Sequence, residues 1–177
     1  MSFNNGLPNS AGAVYFSTAE ISGIHFNIFS SDKGINHIFI NQKDAQFEAY
    51  NLTALQPDHP LMFNVFFELT EYFNCRRKNF NVPLELQGSD FQIKVWNELL
   101  KIPFGNAISY KTLSERIGNK SLVRAVGKAN GSNPVPVIVP CHRVINSDGS
   151  LGGYSAGLPV KKKLLELEGI INLNLFN

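Results

Sequence analysis

Three runs of alternating apolar and polar residues open the chain and predict β-strands. They read AVYFSTAE at residues 13–20, GIHFNIFSS at 23–31 and GINHIFINQ at 34–42. All are rich in β-branched and aromatic residues, and the turn-forming residues 31–34 separate the last two. We therefore expect strand structure across residues 13–50, with one apolar face per strand.

A helical repeat follows the strands. In PLMFNVFFELTEYFNCRR, residues 60–77, apolar positions recur every four residues, which predicts a helix that ends in two arginines. The stripe consists of Leu61, Val65, Leu69 and Phe73. Residues 78–88 then suggest a linker with one strand, and the Pro83 and Gly88 signals place a domain boundary near residues 80–90. We divide the chain into domains at 1–85 and 86–177.

The second half of the chain has mainly helical patterns. A Ser-Asp cap signal starts a helix that we expect to run from residue 89 to Pro103. Residues 109–118 and 122–133 predict two helices joined by a short turn, with Ser109 and Ser121 placed as caps. A last short helix, VKKKLLELEG, ends at Gly169.

Composition and charge limit the classes of protein to consider. The chain has 177 residues and an ordinary apolar content, without the run of about 20 apolar residues that spans a membrane. No signal peptide is evident, so we expect a reducing, cytoplasmic location, or a nuclear one in a eukaryote. Residues 1–85 carry five Lys/Arg and eight Asp/Glu, whereas residues 86–177 carry eleven and six. A basic second half suits a polyanionic partner, although scattered surface charge would give the same count.

The second helix of the pair has the features of a contact surface. Small residues recur along it, and two basic residues lie one turn apart. The small residues are Ala125, Gly127, Ala129 and Gly131, and the basic ones are Arg124 and Lys128. Because glycine costs a helix about 1 kcal/mol relative to alanine, two glycines indicate a close approach to a partner. A DNA-binding helix-turn-helix and an ordinary helical hairpin both remain open on this pattern.

The two cysteines differ in their surroundings. Cys75 and Cys141 are expected to be free thiols in a reducing compartment, and no histidine or cysteine spacing predicts zinc. The apolar run PVPVIVP, residues 134–140, predicts a buried strand or extended segment that delivers Cys141 next to His142 and Arg143. Adjacent side chains rarely face each other, so His142 would act as a base through a bridging water. A carboxylate, Glu168 or Glu166, would orient its ring.

The motifs around Cys141 resemble those of the O6-alkylguanine-DNA alkyltransferases, also called methylated-DNA–protein cysteine methyltransferases. The segment PVPVIVPCHRVI is similar to the PCHRV signature of that family. The resemblance covers about half the chain, through FQIKVWNELLKIPFGNAISY, RAVGKANGSNP, GGYSAG and KKKLLELEG. Residues 1–85 fit the variable N-terminal domain of the family without identifying it. Cys75 has no cysteine partner for the zinc site of some relatives, so we expect no metal.

The resemblance implies a role for each matching residue in the chemistry. Cys141 would accept the alkyl group, while His142 takes the thiol proton through water and Glu168 orients the imidazole. Asn133 would tie the helix pair to the Cys141 segment. Tyr110 would donate a proton to the departing guanine, which gains negative charge.

The resemblance also implies how substrate and DNA are held. The Cys141 and Val144 carbonyls would accept the guanine amine, and Tyr154 and Ser155 belong to a loop that closes on the base. Arg143 is counted among these substrate-side residues, and its role would be to brace the site. Arg124 would fill the gap left by the extruded base, since extrusion costs a few kcal/mol. The surrounding DNA-contacting residues would be Ser121, Ala125, Gly127 and Lys128.

The resemblance further implies the fold and the function. The fold is expected to be α+β: a small antiparallel sheet with a helix (ribonuclease H-like) plus a mainly helical, winged-helix-like domain with a helix-turn-helix. The protein would be a monomeric, single-turnover DNA repair protein that binds the minor groove and acts on O6-alkylguanine, possible substrates including O4-alkylthymine. It would need no cofactor. A lesion-sensing binding protein, a thiol hydrolase and a transcription regulator are the alternatives.

Overall fold

Three antiparallel strands and one short parallel strand form the sheet in the described part of the N-terminal half. A computed structural model describes residues 15–42 and 52–171, with β1 at Tyr15–Ile21, β2 at Ile24–Ser31 and β3 at Gly34–Ile40. A fourth strand, β4 at Thr53–Ala54, pairs with β1 in parallel and gives the order β3-β2-β1-β4. The predicted strands are confirmed where they are described. The expectation for residues 13–14 and 43–50 lies outside the described residues.

Helix α1, Pro60–Phe73, packs its apolar stripe on this sheet. The His59 side chain caps its first turn and accepts from the Leu61 backbone N–H at 3.3 Å. Val65, Leu69 and Phe73 are buried as expected, but Leu61 is 44% exposed, and Met62 is the buried residue of the first turn instead. The helix stops before the arginines, since Cys75 takes a left-handed conformation with φ 57° and turns the chain.

The segment between the two halves is pinned to β3. The Ile35 N–H donates to the Pro83 carbonyl at 2.9 Å, and the Glu85 N–H donates to the Ile35 carbonyl at 2.9 Å. A Cβ at Gly34 would lie 2.5 Å from that Pro83 oxygen, so only glycine permits this approach. The expected strand is therefore wrong in extent: it is a single bridge between Ile35 and Leu84.

Four α-helices build the C-terminal half as far as it is described, up to residue 171. They are α2 at Asp90–Leu100, α3 at Tyr110–Arg116, α4 at Val123–Gly131 and α5 at Leu158–Leu167. Ser89 and Gln92 form a capping box at α2, and Ser109 caps α3. Helix α2 ends at Leu100, short of the expected Pro103. The expected cap at Ser121 is wrong, because Asn119 Oδ1 accepts from the Ser121 N–H at 3.0 Å in a short 3₁₀ turn before α4.

The helices close around a core that is continuous with that of the sheet. Trp96 of α2 is buried and donates to the Ala129 carbonyl of α4 at 2.8 Å, which locks the α2–α4 packing. Two short parallel strands, β5 at Ile108–Ser109 and β6 at Val144–Ile145, join α3 to the segment after Cys141. The expected α+β class, with an N-terminal sheet and a helical C-terminal half, is confirmed. No helix in the described ranges is both long and apolar enough to cross a membrane.

Candidate active site

Cys141 lies at the exit of a strained turn. It begins a single 3₁₀ turn, Cys141–Arg143, and is only 2% exposed. The preceding apolar run is buried as expected, but it is a tight turn instead of a strand. The Val139 N–H returns to the Val135 carbonyl at 2.9 Å, and Val137 has φ 76°. A β-branched residue rarely adopts this conformation, so its surroundings must hold it.

Asn133 is the residue that holds the turn. Its Nδ2 donates to the Val139 carbonyl at 2.8 Å, and its Oδ1 accepts from the Val135 N–H at 3.0 Å. Its amide also lowers the pKa of the Cys141 thiol and so favours the thiolate. The side chain follows α4 directly, so it links the helix pair to the Cys141 segment. This geometry fits the hinge role that the sequence predicted.

His142 is buried and paired with Glu168. Its Nε2 lies 2.8 Å from Glu168 Oε1, and both side chains are fully enclosed. The carboxylate accepts, so the proton is assigned to Nε2, which leaves the Nδ1 lone pair to act as a base. Nδ1 is buried and has no hydrogen-bond partner within the described ranges. Burial lowers the pKa of His142 despite the Glu168 bond, so the ring is neutral at pH 7.

Glu168, and not Glu166, is the carboxylate of the site. It follows α5 as the C-cap, whereas Glu166 lies 3.8 Å from Lys162 in an ion pair on the same helix. Arg143 Nε donates to Glu168 Oε2 at 2.8 Å and Arg143 Nη2 donates to Oε1 at 2.9 Å. Burial alone would raise the pKa of Glu168, but hydrogen bonds from His142 and Arg143 lower it to about 2. The carboxylate is therefore ionised throughout the physiological range.

Arg143 braces the site from the opposite side. Its Nη1 donates to the Ile102 carbonyl at 2.5 Å, while the rest of the guanidinium holds Glu168. The side chain is buried and its contacts are intramolecular. This geometry fits bracing and leaves a direct substrate contact as a prediction only.

Lys161 supplies positive charge beneath Cys141. Its ammonium is buried and donates to the carbonyls of Val144 at 2.7 Å, Leu151, and Gly153 at 3.4 Å. Burial raises the pKa of Cys141 to about 11, although Asn133 and Lys161 act in the opposite direction. The resting thiol is thus protonated, and it needs a base to become a nucleophile.

Comparison with known proteins shows the family to which the chain belongs. Residues 15–86 match the family profile "6-O-methylguanine DNA methyltransferase, ribonuclease-like domain", and residues 90–170 match "6-O-methylguanine DNA methyltransferase, DNA binding domain". The chain belongs to the 6-O-methylguanine DNA methyltransferase family. It is 38% identical to the inducible methylated-DNA–protein-cysteine methyltransferase of Bacillus subtilis over 163 aligned residues. The aligned region covers 88% of this chain and 90% of that relative.

Solved structures of the methyltransferase family share the fold. The O6-methylguanine methyltransferase of Mycobacterium tuberculosis is 33% identical, with a TM-score of 0.79 over 92% of this chain and 97% of that one. The structure of M. tuberculosis OGT in complex with DNA is 34% identical, with a TM-score of 0.79 over 87% and 92% of the two chains. The predicted family, DNA repair function and transferase class are confirmed, as is DNA as the partner.

For two tyrosines of the expected substrate side, Tyr110 and Tyr154, burial raises the pKa, and both lie close enough to Cys141 for its charge to raise it further. Tyr110 begins α3, half-buried, with the Lys161 ammonium 6.0 Å from its ring centroid. Burial and the nearby Cys141 raise the pKa of Tyr110, which keeps its hydroxyl protonated as a donor. Tyr154 is half-buried, and its hydroxyl has no hydrogen-bond partner in the described part of the chain; Ser155 is exposed.

The two carbonyls predicted to receive guanine already have donors. The Val144 oxygen accepts from Lys161, and the Cys141 oxygen accepts from the Val144 N–H and from Asn130 Nδ2 at 3.4 Å. A carbonyl has two lone pairs, so Val144 keeps one for a ligand. Of the two, Val144 is the better candidate acceptor.

Helix α4 exposes most of the residues predicted to touch DNA. Arg124, Ala125 and Lys128 are exposed on it, as is Ser121 in the preceding turn, and Gly127 is half-buried. Ala129 was expected on the partner face, but it is buried against α2. The small-residue surface is therefore narrower than the sequence predicted.

Two buried residues of the site were missed from the sequence. Lys161 shares an i, i+3, i+4, i+7 face with Leu164, Leu165 and Glu168, and Tyr72 continues the buried stripe of α1. The periodicity signals their burial, but not their partners. Among the described residues, no group of three or more His, Cys, Asp or Glu side chains could hold a metal; the expectation of no zinc remains a prediction.

Proposed function

We propose that the protein removes alkyl groups from O6 of guanine in duplex DNA and transfers them irreversibly to Cys141. The observation that carries the proposal is the buried Cys141 thiol beside the His142–Glu168 pair, in a chain of this family. The substrates are O6-alkylguanines, with O4-alkylthymine as a further candidate.

The proton path starts at the thiol. His142 Nδ1 takes the proton of Cys141 through a bridging water, and Glu168 stabilises the imidazolium that forms. Glu168 is suited to this because it stays ionised in its buried setting. Lys161 and the Asn133 amide stabilise the thiolate that remains.

Transfer then follows as a displacement at carbon. The Cys141 sulfur forms a bond to the alkyl carbon while the bond from that carbon to O6 breaks, and the electron pair passes to the guanine. The Tyr110 hydroxyl donates a hydrogen bond to the guanine as its negative charge develops, which lowers the barrier. The proton that His142 took from the thiol passes through water to the guanine, so the products are a thioether, an unmodified guanine and a neutral His142. A thioether does not release its alkyl group, so each molecule acts once.

DNA docks on α4 through the minor groove. The exposed Arg124, Ala125 and Lys128, together with Gly127 and Ser121, allow close approach of the helix backbone to the sugar-phosphate edges. The Arg124 side chain fills the gap that the extruded base leaves in the stack of base pairs. Minor-groove docking gives weak sequence preference, which suits a lesion that occurs in any context.

The remaining expectations belong to the same proposal. The chain acts as a monomer in the compartment that holds DNA, the cytoplasm or a eukaryotic nucleus. It consists of domains at 1–85 and 86–177, and the separate family matches to residues 15–86 and 90–170 support this division.

The test is the stoichiometry of repair. Duplex DNA with O6-methylguanine is incubated in excess with the protein, and repaired guanine is counted per chain. One repair event per chain is expected, with none for Cys141→Ala and one for the control Cys75→Ala, because Cys75 is the exposed thiol. Continued turnover would contradict the proposal, as would repair by Cys141→Ala.

A further inference from the structure

Tyr72 brings the N-terminal half of the chain into the active site. It lies on the last turn of α1 and is completely buried, and its hydroxyl donates to Glu168 Oε1 at 2.6 Å across 96 residues of sequence. Aromatic rings fix its orientation on three sides: Phe73, Phe80 and Phe104 lie at centroid distances of 5.2, 5.3 and 6.0 Å. The hydroxyl therefore has one position.

We propose that Tyr72 is a positioning residue for alkyl transfer, whose hydroxyl holds Glu168 Oε1 in place and limits its pull on the His142 proton. The inference rests on the proposed function, since it concerns the base in that reaction. It assigns the N-terminal half a part in the chemistry, because α1 adds a donor to an oxygen that already accepts from His142 and Arg143 of the helical half.

The geometry supports competition for one oxygen. Glu168 Oε1 accepts from Tyr72 at 2.6 Å, and it also lies 2.8 Å from His142 Nε2 and accepts from Arg143 Nη2 at 2.9 Å, so the three side chains share its lone pairs. A carboxylate oxygen with more donors is a weaker base, and it stabilises an imidazolium less. With Tyr72 in place, His142 is held neutral and correctly oriented, ready to accept the thiol proton.

The other charges around His142 act with Tyr72. Arg143 and Lys161 lower the pKa of His142, Glu168 raises it, and the Cys141 thiol is neutral at rest. Burial and the Glu168 charge raise the pKa of Tyr72, so its hydroxyl is always a donor near neutral pH. Removing this hydroxyl leaves Glu168 more basic and shifts the balance toward a protonated imidazole.

The experiment measures the rate of Cys141 alkylation by free O6-benzylguanine between pH 4 and pH 9, in the full chain. The free base is used so that DNA binding does not enter the rate. Tyr72→Phe keeps the ring and loses the hydroxyl, and we expect the acid limb of its profile to move to higher pH by about one unit. The matched control Tyr15→Phe, a hydroxyl deletion in β1, should keep the wild-type profile.

A second variant makes the test independent of whether Tyr72→Phe folds stably. Site-specific 3-fluorotyrosine at position 72 makes the hydroxyl a stronger donor at nearly unchanged size, and should move the acid limb of the pH–rate profile to lower pH. An unshifted limb in both variants would overturn the inference, as would a rate that falls equally at every pH. A wild-type protein that is not alkylated at any pH would instead contradict the proposed function itself, and the inference with it.

Discussion

Burial opposes ionisation of Cys141, so the thiol depends on its neighbours to react. Burial raises its pKa to about 11, although the Asn133 amide, the Lys161 ammonium and backbone N–H groups at Cys141 and His142 favour the thiolate. In the proposed mechanism, the neutral His142 ring supplies the missing base. A thiol that stays protonated until a base removes its proton is protected from side reactions, which suits a protein that each reaction consumes.

At the residue scale, a substitution at Gly152 tests whether the position of Tyr110 matters for transfer. Gly152 has φ 67°, and a Cβ there would lie 3.1 Å from Tyr110 Cε2 and 3.3 Å from its hydroxyl. Gly152→Ala should displace Tyr110 and lower the transfer rate at least tenfold, a loss of about 1.4 kcal/mol in transition-state stabilisation. The measurement is single-turnover repair of O6-methylguanine duplex. Gly153→Ala is the control, because a Cβ there meets nothing within 4 Å; equal rates for the two variants would contradict this role of Tyr110.

At the element scale, α4 has two faces with different tasks. Val126, Ala129 and Asn130 pack inward, while Arg124 and Lys128 are exposed. The inward face is fixed by the Trp96 bond to the Ala129 carbonyl. The outward face has no such constraint, so its small and basic residues are available to a partner.

A substitution at Gly127 should have opposite effects on the stability of α4 and on DNA binding. A Cβ at Gly127 would lie 3.9 Å from the Tyr110 ring, an ordinary contact, so Gly127→Ala should stabilise the free protein by up to about 1 kcal/mol through helix propensity. The same methyl group should hold the helix away from DNA and raise the Kd for duplex. Thermal unfolding, reaction with free O6-benzylguanine and duplex titration separate these effects. Unchanged duplex affinity would contradict the close approach.

Local sequence signals predicted the helices and strands well. They failed where contacts between residues distant in sequence determine the backbone conformation. Strands β1 to β3 and helices α1 to α5 follow from periodicity and caps such as Ser89 and Ser109. The PVPVIVP run was expected to be extended, but the Asn133 side chain folds it into a turn through Val135 and Val139. The two-residue strands β5 and β6 are too short to leave a periodic pattern.

The candidate site was predictable as a set of residues, but not as a network. The motif led to Cys141, His142 and Glu168, and the family resemblance supplied their roles. The residues alone left Glu168 and Glu166 open, the resemblance favoured Glu168, and the structure places Glu168 against His142. Tyr72 could not be found from sequence, since its partner lies 96 residues away.

At the scale of the whole molecule, the two halves meet at the active site. Besides Tyr72, the Ile38 N–H of β3 donates to the Pro134 carbonyl at 2.8 Å, next to the Cys141 turn. Lys163 of α5 donates to the Ser22 carbonyl in the β1–β2 turn. The buried charges at this junction couple folding of the whole chain to pH.

Acid should destabilise the protein in two stages. The pKa of His142 is lowered from 6.5, so the unfolded chain binds its proton first and stability falls as pH drops below 6.5. The pKa of Glu168 is lowered from 4.5 to about 2, so its contribution, on the order of 3 kcal/mol, is present above pH 4.5 and lost as pH falls toward 2. Chemical denaturation at a series of pH values measures both slopes. Glu168→Gln should lose the lower one, while the control Glu166→Gln should retain it; retention in both variants would contradict the coupling.

The most direct test of the account is to locate the transferred group. Duplex DNA with O6-[³H]methylguanine is mixed with the protein for a single turnover, and the labelled chain is digested and mapped by peptide. The account predicts one methyl group per chain, on the peptide that contains Cys141. Label on the Cys75 peptide, or tight DNA binding with no label on the protein, would contradict it.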